Sequence, residues 1–210
     1  MPAPSDNLKL VAEETVIFVC DIQTKFQSAI YGYHELITTV NKVLKIAKVL
    51  QIPVVVTEQN PKALGPTAPE LALGSLGPLY LANVPKTLFS MVTAEVKDLL
   101  KPRGFKCVII VGIESHVCVL QTTLDLLSLG YKVYIVADAV SSCNKVEVPI
   151  ALARMRQVGA YISTSESAVF ELMADSGKPQ FKAFSAIIKE DKETTGNALR
   201  KLRPTFASNL

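Results

Sequence analysis

Four short apolar runs, Thr15–Cys20 (TVIFVC), Pro53–Thr57 (PVVVT), Cys107–Val111 (CVIIV) and Tyr131–Ala137 (YKVYIVA), alternate with segments whose apolar residues recur at helical spacing. An unbroken run of branched apolar side chains has no polar face, so each belongs to a strand covered on both sides. Strand and helix in repeated succession, joined by right-handed crossovers, predict a three-layer α/β/α domain around a parallel sheet of about six strands. At 210 residues and 49% hydrophobic, the chain is long enough for one well-buried domain, and no internal repeat or linker divides it.

The helices and connections follow from the same pattern. Leu36, Val40, Val43, Ala47 and Leu50 share one face of the helix after the first strand. The stretch from Glu58 to Val84 is rich in Pro and Gly and too long for an ordinary connection, which marks a functional loop, with a short strand ending near Lys86. Ser90 stands where it would cap a helix carrying Val92, Val96 and Leu99. Residues 146–158 read as a helix with Pro149 in its first turn, and Ala160–Ser163 as the last strand. Ser163 and Glu166 have capping-box spacing before a helix around Val169, Leu172 and Met173. Residues 1–189 are expected to form the domain. The charged stretch beyond Lys189 predicts either a flexible tail over 190–210 or an arm packed on a partner subunit.

Composition removes several classes of function. A formal charge of +3, spread over both signs without a basic stripe, argues against a nucleic-acid partner. Apolar runs fall short of the roughly 20 residues that span a bilayer, and MPAPSDNLKL lacks the apolar core of a signal peptide. The carboxyl-terminal SNL only loosely resembles a peroxisomal signal. Cys20, Cys107, Cys118 and Cys143 show no metal-type spacing. Reduced thiols and the absent leader point to a cytoplasmic protein.

Lys106 to Gly130, KCVIIVGIESHVCVLQTTLDLLSLG, reads as buried strand, tight turn and amphipathic helix, with Cys118 at the joint and Gly130 as the helix stop. A thiol there lies at the carboxyl edge of the sheet, near unpaired helix N–H groups that favour a thiolate. The competing role is packing, because free cysteine is among the most buried residue types. Asp21 follows the first strand and Lys86 the short third one, so strand carboxyl ends bring an acid, a cation and a thiol toward one crevice. Taken singly, Asp21 is as readily a solvated strand-end carboxylate or a helix cap. Of the two histidines, His34 is expected at the surface and His116 packed in the nucleophile turn.

Three segments carry a resemblance: VCDIQTKF (Val19–Phe26), VPKTLFS (Val84–Ser90) and GIESHVCVLQTTLDLLSLGYKV (Gly112–Val133). In order and spacing they resemble the cysteine hydrolases of the isochorismatase-like superfamily, nearest the eukaryotic isochorismatase domain-containing proteins. The resemblance implies a catalytic triad of Asp21, Lys86 and Cys118, a non-proline cis peptide between Ile113 and Glu114, and an oxyanion hole from the backbone N–H groups of Glu114 and Cys118. Such donors are worth about 3 to 4 kcal/mol each in other hydrolases. It further implies that Gln23 orients groups near the triad and that Phe26 lines the substrate pocket; ordinary loop anchoring is the alternative for both.

Nicotinamidases of the superfamily bind a metal through Asp and His after the second strand. TEQNPKALGP stands there in this chain, and no histidine occurs between Glu58 and Lys86, so neither metal nor other cofactor is expected. True isochorismatases cleave a vinyl ether without a cysteine nucleophile, and Cys118 argues against that reaction. The resemblance leads to a metal-independent cysteine hydrolase of a small amide-like substrate, working as a homo-oligomer, a dimer or tetramer. The rival expectation is a scaffold that kept the fold and recruits protein partners.

Overall fold

The computed structural model describes residues 9–202. The first eight residues of the segment read for a leader and the last eight of the polar tail lie outside that range. Six strands form one parallel sheet: β1 (Thr15–Cys20), β2 (Val54–Gln59), β3 (Tyr80–Lys86), β4 (Cys107–Ile113), β5 (Lys132–Ser141) and β6 (Tyr161–Ser163). The helices are α1 (Tyr33–Leu50), α2 (Pro61–Leu64), α3 (Ala94–Leu100), α4 (Leu120–Ser128), α5 (Glu147–Gln157), α6 (Ser165–Met173), α7 (Phe181–Glu190) and α8 (Lys192–Leu202). The expected three-layer arrangement is the one observed.

Every residue of β1 is buried, because helices cover both faces of the sheet. Side chains alternate across a strand. Ile17 and Val19 enter a core with Leu36, Val40 and Leu44 of α1 and Leu172 of α6. Val16, Phe18 and Cys20 enter the opposite core with Val96 of α3, Leu126 of α4 and Leu152 of α5. A side chain as fully buried as Phe18 contributes about 1.5 to 3 kcal/mol.

The strand order β3-β2-β1-β4-β5-β6 positions the site. The chain builds outward from β1 through β2 to β3, then returns to the other side of β1 with β4. Connections diverge where the order reverses, leaving a crevice beyond the carboxyl ends of β1 and β4. Their last rung pairs Cys20 with Gly112. A Cβ on Gly112 would lie 2.2 Å from the Cys20 carbonyl oxygen, and its φ of 118° is one that side chains disfavour, so glycine is required for this approach.

Four local expectations are corrected. The cap of α3 is Thr93, whose Oγ1 accepts from Val96 N at 3.2 Å, whereas Ser90 Oγ accepts from Val92 N at 3.1 Å in the preceding turn. The cap of α6 is Thr164, accepting from Ser167 N, in place of Ser163. The segment after β2 is shorter than expected, because β2 continues to Gln59 and β3 begins at Tyr80. The polar stretch past Lys189 holds the helix α8, with Thr195, Ala198 and Leu202 buried on one side, and Lys42 Nζ of α1 donates to Thr195 Oγ1 at 2.8 Å. No helix among the described residues is long and apolar enough to cross a membrane.

Candidate active site

The chain leaves β1 at Asp21 with a left-handed backbone, φ 49°, a conformation that aspartate tolerates better than most residues. Its carboxylate is buried beneath the crevice. Thr57 Oγ1 of β2 donates to Asp21 Oδ1 at 2.7 Å, and Lys86 Nζ at the end of β3 donates to Asp21 Oδ2 at 2.6 Å. The Lys86 and Asp21 side chains are 0% and 1% exposed, so this ion pair is withdrawn from solvent. A buried ammonium needs its donors satisfied. Lys86 Nζ also faces Gln59 Oε1 at 2.7 Å and the carbonyls of Leu88 at 3.1 Å and Phe89 at 3.0 Å.

Thr57 and Gln59 were not singled out from sequence. They are alternate residues on one face of β2, between the strands that supply Asp21 and Lys86, and Gln59 lies beside Lys86 in the β2–β3 ladder. The available signal was a run of three polar residues, Thr57 to Gln59, closing the carboxyl end of an apolar strand.

Cys118 approaches from the other side of the crevice. It lies in a wide π-helical turn over Ser115–Val119, ahead of the α-helix that begins at Leu120, where the sequence places a regular helix start. Val119 N reaches back five residues to the Glu114 carbonyl at 3.1 Å. The Ile113–Glu114 peptide is cis, as the resemblance implied. The turn is fastened on several sides: Thr122 Oγ1 donates to the Cys118 carbonyl at 2.6 Å and accepts from Met91 N at 2.8 Å. Ser115 Oγ donates to the Ser141 carbonyl at 3.0 Å, and Glu114 Oε2 accepts from Cys143 N at 2.8 Å.

Cys118 is 6% exposed and packs into the same core as Cys20, which is fully buried. Cys20 Sγ in turn lies 3.7 Å from Asp21 Oδ2. Burial above all, then the neighbouring Cys118 thiol and the charge of Asp21, push the Cys20 thiol well above its ordinary range, against the pull of Lys86. Cys20 therefore stays a protonated thiol beside the Asp21 carboxylate.

The remaining candidates divide. Gln23 is fully buried, with Nε2 on the carbonyls of Gln59 at 3.1 Å and Gly65 at 2.7 Å, and Oε1 accepting from Gln59 N at 2.8 Å. It clasps the exits of β1 and β2 together. Phe26, half-buried, rests against the core on the α1 side. His34 is exposed, while His116 Nδ1 lies 3.0 Å from Ser142 Oγ within the turn. Among the described residues no group of three or more His, Cys, Asp or Glu side chains is arranged to hold a metal ion.

A doubly covered parallel sheet with a polar crevice at its switch point is an α/β scaffold of the kind that binds ligands there. Residues 15–167 match the isochorismatase domain, and the chain belongs to the isochorismatase family. It is 42% identical over 188 residues to human isochorismatase domain-containing protein 2, covering 90% of this chain and 89% of that protein. The structure called MAR1 ribonuclease from Caenorhabditis elegans superposes with a TM-score of 0.79 at 38% identity, covering 96% of this chain and 98% of that one. The Escherichia coli YcaC gene product, described as an octameric hydrolase of unknown specificity, shares the fold with a TM-score of 0.81 at 22% identity, over 93% and 97% of the two chains.

Proposed function

We propose that this protein is a metal-independent cysteine hydrolase acting on a small amide-like molecule. The observation that carries the reading is the solvent-shielded Lys86–Asp21 pair, 2.6 Å long, at the switch point that also presents the Cys118 turn. Asp21 accepts the Cys118 proton, with the buried Cys20 thiol beside the carboxylate. The thiolate attacks the substrate carbonyl, and the backbone N–H groups of Glu114 and Cys118 hold the resulting oxyanion. The leaving amine departs with the proton from Asp21, and water hydrolyses the thioester. Lys86 holds the carboxylate in place. Gln23 holds the loop that frames the crevice, and Phe26 lines the pocket toward α1.

The setting of the reaction follows the same reading. A free thiol nucleophile suits a reducing, cytoplasmic compartment. The octameric description of YcaC supports a homo-oligomer for this chain as well. Light scattering at micromolar concentration tests that part: a monomer contradicts it.

The test of the activity is an amide substrate screen with Cys118→Ala as control. On a confirmed substrate the variant loses at least about a thousandfold in kcat while remaining folded. Full turnover by Cys118→Ala rejects the covalent scheme. The relative called a ribonuclease, at 38% identity, motivates a second reading in which the substrate is RNA. Single-stranded RNA belongs in the same screen, and cleavage that survives Cys118→Ala would favour that reading over the amide hydrolase.

A further inference from the structure

The hydrolase reading uses Cys118 as nucleophile and leaves a second thiol beside it without a chemical duty. Cys20 is the last residue of β1, and strand alternation turns it toward the α4 side of the sheet with Val16 and Phe18. The Cys118 turn packs into that same core. Both cysteines therefore face one core, the Cys118 thiol is close enough to raise the pKa of Cys20, and Asp21 Oδ2 lies 3.7 Å from Cys20 Sγ. The other cysteines are placed elsewhere: Cys107 begins β4, at the opposite end from the crevice and in the other core, and Cys143 is exposed beyond β5.

Resting on the reading that Cys118 is the nucleophile, we propose that Cys20 and Cys118 form a peroxide-sensitive dithiol, an oxidative modification site that closes reversibly into a disulfide and stops turnover. The Cys118 thiolate attacks one oxygen of a hydroperoxide. The O–O bond breaks, the other oxygen leaves with the electron pair and takes a proton to become an alcohol or water, and Cys118 becomes a sulfenic acid. Cys20 Sγ then attacks Cys118 Sγ. The S–O bond breaks, its oxygen leaves as water with the proton released by Cys20 through Asp21, and one S–S bond joins the two residues. A dithiol reductant returns both thiols.

Placement fixes the order of events. Cys118 has the slight exposure that a small peroxide needs, while Cys20 has none, so oxidation enters at Cys118 and is resolved by Cys20. The protonated state of Cys20 keeps it from competing as a first nucleophile. Because the resolving thiol faces the same core, Cys118 passes quickly from sulfenic acid to disulfide and is shielded from irreversible over-oxidation.

The experiment treats the full chain with hydrogen peroxide, with and without dimedone, and maps peptides before and after dithiothreitol. Iodoacetamide labelling of Cys118 is measured on the same untreated preparation. Wild type is expected to yield a Cys20–Cys118 linked peptide and little dimedone adduct, with Cys118 labelling lowered more than about tenfold and restored by reductant. Cys20→Ser is expected to give a dimedone adduct on Cys118 and progression to the sulfinic acid. The double variant C107S/C143S, which leaves only the pair, gives a second readout should Cys20→Ser not fold: both thiols vanish together on oxidation and return together. Rapid alkylation of Cys118 in wild type without any linked peptide overturns the switch and leaves the hydrolase reading intact. Slow alkylation together with no oxidation removes both.

Discussion

Two buried carboxylates, one at the exit of β1 and one within β5 with β4 between them, do different work. Asp138, within β5, is 0% exposed and turns toward the start of α6, where its oxygens accept from Ser165 N and Ser165 Oγ at 2.6 Å each. Burial raises its pKa, while the Ser165 bonds and the charge of Lys42 hold it back. Asp21, 1% exposed, meets a lysine and a threonine hydroxyl from residues far apart in sequence, and the thiol of its chain neighbour Cys20. Burial alone therefore does not mark a reactive group. A carboxylate answered by the first turn of one helix stabilises that helix, whereas one facing a buried cation and a thiol at a switch point has the makings of chemistry.

The comparison breaks most visibly at Lys86. Lys86→Met strands the Asp21 charge out of water, an expected loss of about 3 to 5 kcal/mol in urea denaturation and loss of any turnover. A fully stable, active variant would dissolve the distinction. Asp138→Ala removes acceptors from Ser165 and should cost about 1 to 3 kcal/mol, with Cys118 alkylation unchanged in the folded protein. Slower alkylation there would show that Asp138 also serves the crevice.

The smallest effect is expected at Lys42. Burial lowers its pKa from the ordinary 10.5, despite the attraction of Glu166, Asp138 and Asp191. The folded state thus binds this proton less tightly than the unfolded chain, so this residue's contribution to stability rises with pH between the depressed value and 10.5. Lys42→Met lacks that slope. Thr195 Oγ1 still donates to the Asp191 carbonyl at 2.7 Å in its absence. Relative to wild type, Lys42→Met should stand highest near neutral pH, with the gap narrowing toward pH 10.5. A gap that widens would place the proton the other way.

Much of this was legible because the strands are apolar on both faces. TVIFVC, CVIIV and the α1 stripe stood out, and strand exits alone located Asp21 and Cys118. Polar helices and short polar extensions did not stand out. In KETTGNALRKL the apolar face of α8 is made of Thr195, Ala198 and Leu202, too few and too small to outweigh the charges around them. DAVS prolongs β5 past Ala137, but an aspartate in a strand reads as a turn until Ser165 is known to face it. Ser90 and Thr93 both have cap chemistry, and only backbone geometry chooses Thr93. Thr57, Gln59 and Cys20 required the order of β3, β2, β1 and β4, since their partners lie on neighbouring strands or in the turn after β4. Cys20 in particular looks like core packing until the Cys118 turn is set against it.

The central claim is that Asp21 and Lys86 activate Cys118. The direct measurement is the iodoacetamide labelling rate of each cysteine, by peptide mapping from mildly acidic to neutral pH, in wild type, Asp21→Asn and Lys86→Met, with folding checked by circular dichroism. The account predicts that Cys118, though buried, labels faster than exposed Cys143, and that this advantage disappears in the folded variants. Cys143 labelling fastest throughout, with Cys118 equally slow in all three proteins, would contradict it.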